Sequence, residues 1–66
     1  MRKTAAQKAH EATDKLIEQT WYRMASGVQV SIMDIPAIFR FCATEMANGL
    51  AVEVAVAQAM AAWRKN

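Results

Sequence analysis

Apolar side chains recur at helical spacing in three stretches of this chain, and between the first two a short stretch alternates instead. In the first stretch Ala5, Ala9, Ala12, Leu16, Thr20 and Met24 keep the helical period, and Ile17 and Trp21 widen the stripe. Thr4 and Gln7 stand at capping-box spacing and Gly27 supplies a left-handed stop. The pattern predicts a helix from about residue 4 to 25, roughly 30 Å long. Its N-terminal half offers mostly alanine, so that half should project or meet another chain. Trp21 and Tyr22 lie about 100° apart on such a helix, which turns one toward the core and the other toward a boundary or an interface.

The alternating stretch follows. Val28, Val30 and Ile32 fall on one side of an extended chain and Gln29, Ser31 and Met33 on the other, the period of a half-buried strand. A lone strand cannot satisfy its own backbone groups and needs a second one. The competing reading is an irregular apolar loop packed on the helices. Asp34 and Pro36 then suit the start of a second helix, with Ile35, Ile38, Phe39, Cys42 and Met46 as its stripe and Asn48 and Gly49 as its stop. Phe41 falls off that stripe, toward a partner.

The last stretch supports two periods. Val52, Val54 and Val56 alternate, whereas Val52, Val56, Ala59, Met60 and Trp63 keep helical spacing. The alanines after Val54 decide for helix. Only Glu53 and Gln58 interrupt its apolar surface before Arg64, so it should be buried on more than one side. The expected fold is mainly α: a long N-terminal helix over 1–26, then a strand–helix–helix unit over 27–66 whose two helices meet at a Gly turn. Both belong to one domain.

Length makes self-association the expectation. A chain of 66 residues hides only about 60% of its unfolded surface, yet 55% of its residues are of hydrophobic types. One cysteine, Cys42, allows no internal disulfide, and one cysteine with one histidine cannot make a structural zinc site. A twin subunit is the remaining support, giving an intertwined homodimer. Its expected interface comprises Val28, Val30, Ile32, Phe39, Val56, Met60 and Trp63. No secretory signal is expected in the basic, apolar-poor start, and residues 50–63 are too few to cross a bilayer. A cytoplasmic protein without a membrane partner is expected.

Strand, helix, Gly, helix over residues 27–64 resembles the ribbon-helix-helix family of small dimeric repressors, with Gly49, Leu50, Val56, Ala59, Met60 and Trp63 at the matching positions. The resemblance implies a strand paired with its twin across a two-fold axis. It also implies that Gln29, Ser31 and Met33 project into the DNA major groove. This chain departs from the family in having no Lys or Arg on the outward strand face, and Ala51 and Glu53 where the last helix would approach a phosphate.

Charge changes this picture little. Eight Lys and Arg against six Asp and Glu leave a net charge of +2. Arg2, Lys3 and Lys8 at the start would join any phosphate-tracking stripe. No nucleophile, base and orienting group can be assembled, so no catalysis, cofactor, metal or small-molecule substrate is expected. His10 reads as solvated and Cys42 as a buried, inert thiol. Two functions remain open: a dimeric DNA-binding transcriptional regulator of the plasmid or phage type, or a small helical inhibitor, adaptor or assembly subunit. The second would dock an apolar surface on a larger protein partner.

Overall fold

The computed structural model describes residues 4–64 as three helices: α1 (Ala5–Met24), α2 (Ile35–Ala47) and α3 (Val52–Trp63), with a single 3-10 turn at Ile32–Asp34. The capping box forms at the head of α1. The Thr4 hydroxyl oxygen accepts from the Gln7 amide at 3.1 Å, and the Thr4 amide donates to Gln7 Oε1 at 2.9 Å. At its other end Gly27 takes φ +78°, which turns the chain out of the helix. Residues 4–12 are exposed, and α1 buries only Ile17 and Thr20, in its second half. The Thr20 hydroxyl donates to the Leu16 carbonyl at 2.8 Å, so its burial leaves no polar atom unsatisfied.

Helices α2 and α3 form a hairpin closed by a Schellman turn. The Gly49 amide donates to the Met46 carbonyl and the Leu50 amide to the Glu45 carbonyl, both at 3.0 Å. Gly49 has φ +102°, and a Cβ built there would meet nothing within 4 Å. The cost of Gly49→Ala is therefore purely that of the backbone conformation, about 1–2 kcal/mol. A lower urea midpoint at unchanged slope should report it.

All three helices contribute to one core of Ile17, Ile38, Cys42, Ala55, Val56 and Ala59. Ala55 and Ala59 are small enough to bring α3 close to its neighbours, and Val56 fills the space between. Phe41 is partly buried against this core, with its ring edge-on to Trp63 at 5.5 Å between centroids and 70° between planes. The off-stripe position expected to face a partner is thus used inside the chain. Helix α3 is buried on one side only: Val54, Ala57 and Ala61 are exposed.

The strand expected at 28–32 does not form, and no strand occurs among the described residues. The reason is local. Ser31 is extended, but its hydroxyl oxygen accepts from the Met33 amide at 3.3 Å and its carbonyl from the Asp34 amide at 3.0 Å. These bonds wind Ile32–Asp34 into a 3-10 turn that leads directly into α2. The only other β-like segment, at 52–56, is in α3, so no intrachain strand is left to pair with. Val28 and Val30 still turn inward and Gln29 outward. The alternation ends at Ile32, which the turn rotates into solvent at 80% exposure.

Candidate functional site

A cleft of about 460 Å³ lies between α1 and α2, with one residue of the 28–34 connection in its lining. Ile17 and Trp21 form its α1 wall, with Glu18 and Tyr22 on the lip. Ile35, Ile38 and Phe39 form the α2 wall, and Val30 contributes from the connection. Its volume is that of a ligand pocket, but its surroundings differ from those of an enclosed site. Tyr22 is 77% exposed on the lip, and Ile32 and Met33, in the chain between Val30 and Ile35, are 80% and 85% exposed.

The expected DNA-contact residues are not brought together. Gln29 and Met33 are exposed, whereas Ser31 is half-buried and its hydroxyl is engaged in the turn. Lys8 is near the far end of α1, about 24 Å of helix from Met24. Arg2 and Lys3 lie outside the described residues. Arg23 is paired with Glu53 at 3.2 Å, tying the end of α1 to the start of α3. Both side chains are largely exposed, so this pair contributes little to stability.

The expected dimer-interface residues divide. Val56 is fully covered within its own chain, and Phe39, Met60 and Trp63 pack partly against the core. Val30 lines the cleft, Val28 is half-buried and Ile32 is free in solvent. Ile17, Glu18, Ile35 and Ile38 complete the cleft without having been singled out as site residues, together with Trp21 and Tyr22, one of which was expected at a boundary or an interface. Ile17, Ile35 and Ile38 were visible only as members of helical stripes, and the angle that opens the cleft is not a sequence property.

Asp14 and Glu18 fall within about 60° of Trp21 around α1, on the cleft side, and Lys15 lies a further 60° or so beyond Glu18. Among the described residues neither Asp14 nor Glu18 has a hydrogen-bond or ion-pair partner through its side chain. Asp34 occupies the N-cap of α2 but makes no capping bond.

Cys42 lies in the core, fully buried, and burial pushes its thiol pKa up. A raised pKa in the folded state means that folding favours the neutral thiol. Its contribution to stability is complete below the unfolded thiol's pKa and is lost as pH rises through the folded one. The folded protein should resist a disulfide reagent until denaturant is added. The alkaline fall of its urea midpoint should be shallower in Cys42→Ala.

Among the described residues no group of His, Cys, Asp and Glu could hold a metal ion, and no helix is long and apolar enough to cross a membrane. Comparison with known proteins finds no matching family model, curated sequence or solved structure. The site stands on its own geometry.

Proposed function

We propose that the protein is a small helical protein–protein interaction module, an inhibitor, adaptor or assembly subunit that docks an apolar surface on a larger partner. The observation that carries this reading is the open apolar cleft between α1 and α2 with Tyr22 exposed in its lining, together with Ile32 and Met33 exposed in the connection that leads from Val30 to Ile35. A domain this small has no apolar surface to spare, and leaving three large side chains uncovered weakens the isolated chain. The regulator reading has less beneath it. It relied on an outward strand face at Gln29, Ser31 and Met33, and those residues run through a connection into a 3-10 turn. What supports it is the net charge of +2 and dispersed cations.

The test is recovery of partners from lysate of the source cells with and without nuclease, using the wild type and Tyr22→Gln/Met33→Gln. Both positions are mostly solvent-exposed, so the double variant keeps the fold. The module reading expects a defined protein retained after nuclease and reduced about ten-fold by the double variant, a difference of about 1.4 kcal/mol. Recovery of nucleic acid alone, or equal recovery by both forms, would overturn it.

A further inference from the structure

We propose that the cleft receives an amphipathic helix whose apolar stripe is edged with Lys or Arg, so that the partner's docking segment is basic. The inference rests on the interaction-module reading and adds the chemistry of the occupant. Three observations carry it. The cleft walls are apolar and run between a helix and the start of another, the geometry into which a helix lays its i, i+4, i+7 side chains. Glu18 lines the cleft, Asp14 stands one turn before it on the same face of α1, and Asp34 stands where the connection enters α2. None of the three carboxylates has a side-chain partner among the described residues.

The cations near this surface do not neutralise it. Arg23 is paired with Glu53, and on α1 it falls about 200° from Trp21, off the cleft side. Lys15 lies about 20° around α1 from Tyr22 and offsets one of the three carboxylates, leaving the lip net acidic, and Arg40 is turned about 100° from Phe39 on α2. An apolar helix seated in the cleft would desolvate one side of Glu18 and pass close to Asp14 and Asp34. Cations along its edge would answer that cost, and carboxylates there would add to it. A second copy of this chain docking by the same face would set these acids against themselves, so charge favours a different occupant.

A phage-displayed library of helical peptides tests this. Its apolar i, i+4, i+7 stripe is fixed, and its flanking positions are randomised equally between Lys, Glu and Gln. Selection on the full-length protein should enrich Lys on one edge of the stripe. A synthesised winner should bind about ten-fold more tightly than its Lys→Glu counterpart at low salt, with the gap closing as salt rises. Asp14→Lys/Glu18→Lys, both exposed, should reverse the preference. Binders without charge bias, or with Glu enriched, would overturn the basic-helix inference and leave the interaction module standing. Failure to enrich any binder that Tyr22→Gln/Met33→Gln weakens would count against both.

Discussion

Val56→Asp should leave no folded protein at room temperature. Val56 has no exposed surface and sits where α3 meets the rest of the core. A carboxylate there has no cation within the interior to pair with. It must therefore be buried charged without a partner, or protonated and still short of hydrogen bonds. Either costs several kcal/mol. A scaffold of this length, without disulfide or metal, rarely holds more than about 3–5 kcal/mol in total. The expected far-UV circular dichroism spectrum is that of a coil with no cooperative melt. A variant that kept wild-type ellipticity and a sharp transition would show that α3 is not seated on this core.

Ile17→Ala comes next in size, and its consequence reaches the cleft. Ile17 is 1% exposed, contributes to the core and lines the cleft at once. It is the one apolar side chain by which α1 is fully anchored, since Thr20 is the only other buried residue of that helix. Removing a buried isoleucine's outer atoms costs about 2–5 kcal/mol, the upper end applying where the cavity cannot collapse. Collapse is limited here because Ala55 and Ala59 have little side chain to move. The expected result is a urea midpoint lowered by most of the wild-type value, with amide protection lost first along α1. Leu16→Ala, one residue away but 43% exposed, should cost under about 1 kcal/mol and provides the contrast.

The helices were legible because each carries its own punctuation. Thr4 and Gln7 announce the start of α1, Gly27 its end, and Gly49 the turn between α2 and α3. These signals work through backbone hydrogen bonds only a few residues apart, so sequence spacing reports them faithfully. The alternation at 28–32 misled for the complementary reason. Period two records which side chains face inward along an extended chain, and Val28 and Val30 do face inward. It does not record whether a second strand exists, and the Ser31 hydroxyl settles the local backbone as a turn instead.

Surface is the harder reading. The excess of apolar residues indicated that some would remain uncovered, and Ile32 and Met33 are. Yet Phe41, assigned outward by its place off the α2 stripe, is taken up by Trp63 across the hairpin. Residues on a helix flank are decided by the neighbouring helix's angle, which no periodicity encodes. The cleft arises in the same way, from how α1 and α2 sit against each other.

The most direct measurement is amide hydrogen exchange on the full-length protein, alone and bound to the nuclease-resistant partner. The cleft account predicts new protection over residues 17–22 and 30–39, with the exposed side of α3 unchanged. Protection confined to α3 or to the first turns of α1 would place the contact elsewhere and contradict it.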